Sequence, residues 1–231
     1  MKNCSLCFPE AAVPGNTETM LYDQDIREPL YLFLEKVFGK VRFLEEKNMG
    51  RSRADAILVL PAALCGIEIK SDADTYTRLS RQVQDYDRYY DYNLLVIGQS
   101  HAMHAAEHIP DFWGILTVSE TGEGVRFQMN RIPQKNPNCD LERKLSILWR
   151  PELNHLLERN RMPHYTQKSK RFVAQSLLRR VPPALLHVQI SEELYERDYT
   201  RIGQVIADFR NAHRRSGVRR SGRRKRSRVR V

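Results

Sequence analysis

Two consecutive apolar runs in this chain carry charges where a sheet interior tolerates them least. Arg53-Ala-Asp-Ala-Ile-Leu-Val-Leu60 and Ala63-Leu-Cys-Gly-Ile-Glu-Ile-Lys70 both read as strands, and Pro61-Ala62 between them supplies a turn. Side chains alternate along a strand, so Glu68 and Lys70 share one face. A tight hairpin then sets Asp55 opposite the end of the second run. Charges on a central strand cost free energy unless they are paired or put to use. Two hard carboxylates and an ammonium in one cleft suit Mg²⁺, with Mn²⁺ as a substitute. Such a cation activates water and polarises a phosphodiester. The competing explanation is a structural ion pair, because Asp…Glu-x-Lys at loose spacing also arises by chance.

The flanking pattern is that of an α/β chain. Asp25-Ile-Arg-Glu28 has the shape of a capping box, with Pro29 in the first turn and an apolar series from Leu30 to Phe38 that stops at Gly39. A strand is expected near Val41–Glu45, an amphipathic helix over Thr75–Tyr90, and a buried strand at Asn93–Gly98. A short helix at Ser100–His108 and strands at Trp113–Val118 and Val125–Arg131 follow. Helices are expected over Leu141–Arg161, Lys168–Arg180 and Glu192–Arg214, with Pro182-Pro183 as a breaker. The order through the centre is α-β-β-β-α-β.

Asp55, Glu68 and Lys70 on a hairpin, with Gln82-Val-Gln-Asp-Tyr86 on the next helix, resemble the PD-(D/E)XK nuclease superfamily. The Gln-x3-Tyr spacing is similar to that of its exonuclease branch. A closer resemblance, over roughly residues 21–180, is to an uncharacterised, mostly bacterial, nuclease-like family of that superfamily. It rests on Arg53-Ala54-Asp55, the string Glu68–Thr75, Arg78-Leu79, Trp113-Gly114 and Leu148-Trp-Arg-Pro-Glu-Leu153. Ala54 stands where the superfamily often has proline.

The resemblance implies a restriction-endonuclease-like core, αβββαβ, with a mixed sheet flanked by helices and here extended by C-terminal helices. It implies a metal-dependent hydrolase of DNA phosphodiester bonds, acting in repair, recombination or defence. Asp55, Glu68 and the main-chain carbonyl of Ile69 would hold Mg²⁺. Lys70 would orient water or neutralise developing charge, and Gln82 would bond the substrate or the attacking water. Glu28 is open between an extra acid near the metal and the capping box. Arg78 is open between a phosphate contact and an ion pair with Asp74 or Asp85. Tyr86 is open between packing on nucleic acid and edging the core. The alternative for the whole chain is a non-catalytic DNA-binding module or a subunit of a larger complex.

Charge is distributed unevenly. Residues 214–231 hold ten Lys and Arg and no acid, so the formal net charge of +10 leaves residues 1–213 neutral. This stretch, with Arg219, Arg220, Arg223, Arg224, Lys225 and Arg226 at its centre, is expected to be disordered and to neutralise nucleic-acid phosphates. The chain thus divides into a flexible leader over 1–20, a nuclease-like core over 21–135, a helical extension over 136–213 and a basic tail over 214–231. No apolar stretch approaches the roughly 18 residues a membrane span requires, and the N-terminus lacks the form of a secretory signal. A cytoplasmic protein is expected. Cys4-x2-Cys7 has the spacing of half a zinc site, but Cys65 and Cys139 form no second pair, and free thiols are expected. His101, His104 and His108 are spaced for one helix face and are read as structural or surface residues. No Gly-x-Ser-x-Gly elbow and no Gly-x4-Gly-Lys loop occurs, which argues against serine hydrolysis and ATP-driven activity.

Overall fold

The computed structural model describes residues 21–122 and 124–197. Helix α1 (Asp23–Phe38) is followed by β1 (Arg42–Met49), β2 (Ser52–Leu60) and β3 (Ala63–Lys70). Next come α2 (Leu79–Tyr89), β4 (Tyr92–Gly98), β5 (Gly114–Thr121) and β6 (Gly124–Arg131). Four helices follow: α3 (Leu141–Ser146), α4 (Arg150–Arg159), α5 (Lys170–Arg180) and α6 (Pro183–Tyr195). The strands form one open mixed sheet in chain order. β1, β2 and β3 are antiparallel, β3, β4 and β5 parallel, and β6 returns antiparallel.

The two faces of the sheet are covered differently. Leu64, Val83, Tyr86, Leu95 and Trp113 join residues of α3–α6 in one large core. On the other face Leu58, Ile67, Ile69, Val96 and Leu116 pack under Ile26, Leu30 and Leu34 of α1. The expected α/β architecture and a mixed sheet flanked by helices are both present. Parallel pairing of β3 with β4 needs a crossover, and α2 provides it.

Three expected elements differ. The helix at Ser100–His108 is instead two isolated 3-10 turns, Gln99–His101 and Ala105–Glu107. The three histidines therefore share no helix face: His101 and His108 pack on Tyr76, and His104 pairs with Glu107 at 3.1 Å. The helix at Leu141–Arg161 is broken between Ser146 and Arg150, and Pro151 stands in the first turn of α4. The last of the described helices begins at Pro183, nine residues earlier than the Glu192 start expected, because a proline fits the first turn. Its expected extension to Arg214, the leader with Cys4 and Cys7, and the basic tail lie outside the described residues.

The helical extension is fastened to the sheet by buried ion pairs. Lys144 Nζ reaches Asp91 Oδ2 at 2.5 Å, and His187 Nδ1 lies 3.1 Å from Asp91 Oδ1. Asp91 also accepts the Leu64 N–H at 2.7 Å. Arg197 forks onto Glu152 at 2.6 and 2.8 Å and lies over the Trp149 ring at 4.5 Å. Glu152 in turn accepts the Trp149 N–H at 2.6 Å. The Leu148–Leu153 motif is thus a brace for the helices and takes no part in the cleft.

Candidate functional site

The site forms where the β2–β3 ladder stops. Pairing of these strands ends at Ala56–Ile67, while β3 continues alongside β4 as far as Lys70–Ile97. On the other side of β2 the register runs from Glu45–Ala56 to Lys47–Ala54 and leaves Glu46 and Asp55 unpaired. Glu46 has φ +50°, a left-handed conformation that is uncommon for a non-glycine residue. Asp55 is thereby released from both ladders. Its N–H donates to the Tyr86 hydroxyl at 3.3 Å, and its carboxylate Oδ2 accepts the Ile69 N–H at 2.9 Å. The open end lies at the C-terminal ends of parallel strands, where α/β sheets bind ligands.

Glu68 lies beside Asp55 and is 0% exposed. Lys70 Nζ donates to Glu68 Oε1 at 2.5 Å, and the Gln82 side-chain amide donates to the same oxygen. The Tyr86 hydroxyl is 2.8 Å from Glu68 Oε2 and 2.7 Å from the Ile67 carbonyl. Gln82 and Tyr86 come from successive turns of α2, which approaches β3 closely because residue 66 is glycine. A Cβ there would stand 2.3 Å from the Tyr90 ring and 2.6 Å from the Tyr86 ring. The Tyr86 ring also packs against the buried Trp113 ring, with centroids 5.3 Å apart.

The electrostatics are those of a carboxylate pair short of positive charge. Burial, and next the Asp55 charge, raise the Glu68 carboxyl to about 7 against the opposing pull of Lys70. Asp55 is raised as well, chiefly by burial, with the Ile69 N–H and Lys70 acting the other way. Burial and the Glu68 charge push the Tyr86 hydroxyl far above its usual range, so it is a hydrogen-bond donor at all physiological pH.

Asp55, Glu68, Lys70 and Gln82 open into a cleft of about 510 Å³. Ile69 also lines it, although its side chain packs in the α1-side core, so what it presents to the cleft is main chain. In a strand the N–H and C=O of one residue face the same edge, so the Ile69 carbonyl faces the side on which its N–H meets Asp55. Arg78 is exposed, lines the cleft, and makes no ion pair with Asp74 or Asp85. Asp74 is occupied in a turn, accepting from the Ser71 N–H at 2.9 Å and hydroxyl at 2.7 Å.

Two site expectations are corrected. Glu28 is exposed and does not line the cleft; Asp23 and Arg27, on the adjacent stripe of α1, do. Arg27 bonds Asp23 at 2.7 Å and lies 3.8 Å from Asp55. The i,i+4 spacing of Asp23 and Arg27 was the available signal. Tyr86 is 0% exposed, so it touches no nucleic acid and instead holds Asp55 and Glu68 in place from beneath. Arg53 of the Arg53-Ala54-Asp55 motif lines the cleft from β2, and so do Arg51 and Arg81, which the motifs did not single out. The β1–β2 turn brings Arg51 there and the first turn of α2 brings Arg81.

The described residues fit a hard divalent cation. Asp55 Oδ1 lies 3.8 Å from the Arg27 guanidinium, and the Ile69 carbonyl adds a neutral oxygen beside two crowded carboxylates. No group of three or more His, Cys, Asp or Glu side chains converges among the described residues. A Mg²⁺ ion commonly takes one or two carboxylates and fills its other positions with water and phosphate oxygen.

A family model described as Bacteriophage P4 protein cII matches residues 41–214, about three quarters of the chain. The chain belongs to this family. No curated protein and no solved structure matches it. The matched span takes in every residue of the carboxylate centre and leaves out α1 with Asp23 and Arg27. Among the described residues no helix is long and apolar enough to cross a membrane.

Proposed function

We propose that this chain is a metal-dependent nuclease that hydrolyses phosphodiester bonds of DNA on a PD-(D/E)XK-like core. The observation that carries the reading is the meeting of Asp55, Glu68, Lys70 and Gln82 at one open end of the sheet. Two carboxylates line one cleft there and raise each other's charge cost, and an ammonium stands beside them. The element order α1-β1-β2-β3-α2-β4 supports the core assignment.

Asp55, Glu68 and the Ile69 carbonyl would hold Mg²⁺ or Mn²⁺, which supplies a more acidic bound water and a Lewis acid for phosphoryl oxygens. The chain's own groups do the rest. Lys70 spends one N–H on Glu68 and has two left to donate to a phosphoryl oxygen or a water. Gln82 lines the cleft and donates its side-chain amide to Glu68 Oε1, which holds that carboxylate beside Lys70. Tyr86 keeps Glu68 oriented from the core side. Arg27, Arg78 and Arg81 face the cleft and bind phosphate.

The test is incubation of the purified chain with labelled single-stranded, duplex and branched DNA in Mg²⁺, Mn²⁺ or EDTA. Cleavage of at least one form with either metal and none in EDTA is expected. Equal cleavage in EDTA removes the metal role, and binding without cleavage in any metal turns the reading into a non-catalytic DNA-binding module.

A further inference from the structure

A second groove of about 390 Å³ adjoins the cleft and shares Gly50, Arg51 and Arg81 with it. Arg88 and Arg143 complete its basic lining, and its one acid is Asp85. We propose that this groove is a phosphate track along which a nucleic-acid strand leaves the carboxylate centre. The inference rests on the nuclease reading of the cleft and adds where the strand runs and how it is held.

The four arginines are exposed, and none has a carboxylate within ion-pair distance among the described residues. Asp85 sets one negative charge against the four, and its carboxylate accepts the Arg51 N–H at 3.1 Å. That bond has a purpose in placing the track. Met49 pairs with Ser52, so Gly50-Arg51 is a two-residue turn, and Gly50 has φ +56°. A Cβ at Gly50 would stand 2.3 Å from Asp85 Oδ1. Tyr89 of α2 holds the same turn by accepting the Gly50 N–H at 3.1 Å. The turn is therefore clamped onto α2, and Arg51 is fixed where the two grooves meet.

Arg81 and Arg88 are two turns apart on α2, about 10 Å along its axis. That is the length of about three nucleotides at the rise of one B-form strand. Among the described residues the one aromatic side chain that lines the groove, Tyr89, is 6% exposed and offers no face for a base to stack on. Arginines without an aromatic platform read backbone and not bases. The track is accordingly sequence-independent.

The experiment uses the full chain and its Arg88→Glu/Arg143→Glu variant, whose changes lie outside the carboxylate cleft. Binding of a labelled 20-nucleotide DNA is measured by anisotropy in EDTA across a salt series, with cleavage in Mg²⁺ measured separately. Arg88→Lys/Arg143→Lys serves as the charge-retaining control, and thermal melting checks the fold. The expected result is a salt slope shallower by about 1 per arginine removed, at least tenfold weaker binding of the glutamate variant, and near wild-type binding by the lysine variant. Weakening should be equal for unrelated sequences. An unchanged slope and affinity overturns the track while leaving cleavage, and so the nuclease reading, intact. Absence of cleavage in the wild type with the slope change present defeats the nuclease reading and leaves the track. Competition by polyglutamate as strong per charge as by DNA assigns the groove to acidic protein and overturns the proposal.

Discussion

Among the described residues two buried lysine–carboxylate pairs stand at opposite ends of the central strands, and they are built to different ends. Both have Nζ 2.5 Å from a carboxylate oxygen, and each lysine and its acid are less than a tenth exposed. Asp91 is surrounded by donors. Burial alone would raise its pKa, but the hydrogen bond from His187, the Lys144 charge and the Leu64 N–H outweigh burial and lower it. Glu68 has a lysine, an amide and a phenol, yet Asp55 beside it leaves the carboxyl near 7. One pair is complete without help. The other is short of positive charge, the shortfall that the proposed divalent cation would make up. A fold gains nothing in stability from that shortfall, and perturbed carboxyls in a cleft mark functional sites.

The largest expected effect lies at the incomplete pair. Asp55→Ala or Glu68→Ala is expected to lower metal-dependent cleavage by about a thousandfold or more, over 4 kcal/mol of transition-state stabilisation. Circular dichroism should show the fold retained, because each change also removes repulsion between neighbouring carboxylates. Unfolding of both variants, with metal-independent wild-type stability, would make Asp55 and Glu68 a structural pair like the other one.

The sharpest contrast comes from removing each lysine. Lys144→Met strands Asp91 as a buried charge and is expected to cost about 3–5 kcal/mol in urea unfolding. Lys70→Met is expected to cost far less stability, because the Glu68 carboxyl is raised to near 7 and takes up a proton easily. The same substitution should slow cleavage by roughly a hundredfold through loss of a preorganised donor. Equal destabilisation by the two changes would erase the distinction drawn between the pairs. Undiminished cleavage by Lys70→Met would take that residue out of the chemistry.

The sequence made one pair far more legible than the other. Asp55, Glu68 and Lys70 interrupt apolar strand runs, so local alternation alone puts them on one face near the hairpin's open end. β3 runs over Ala63–Lys70 as its pattern indicated. Asp91 and Lys144 are 53 residues apart and meet only through tertiary packing of α3 on the sheet. No local pattern carries that information. The same limit explains Tyr86. Its spacing from Gln82 placed both on one stripe of α2, but whether that stripe faces solvent or β3 depends on Gly66 admitting the helix. Arg51 and Arg81 carry no sequence signal for a related reason: one sits in a turn and the other on a polar helix face, positions where arginine needs no explanation. Glu28 stays open in the sequence because it is one residue, about one hundred degrees of helix rotation, from Arg27, a distinction that the packing of α1 makes and its sequence does not.

The smallest expected effect is a pH dependence confined to the complete pair. The Asp91 pKa is lowered below its usual value of 3.8 in the folded chain. The unfolded chain therefore binds the proton more readily than the folded one as pH falls through that range. Stability from this carboxylate is full above about 4 and is lost as pH drops through the lower folded value. Asp91→Asn removes the titration, so the stability gap between wild type and Asp91→Asn, read by urea unfolding, should be constant from pH 7 to 5 and narrow below 4. The neutral acid keeps hydrogen-bonding partners in His187 and the Leu64 N–H, which is why this effect should be smaller than that of Lys144→Met. A gap that instead widens toward acid pH would mean that Asp91 is held above its usual value. The two lysine pairs would then be alike, and the contrast on which the assignment of the cleft leans would be lost.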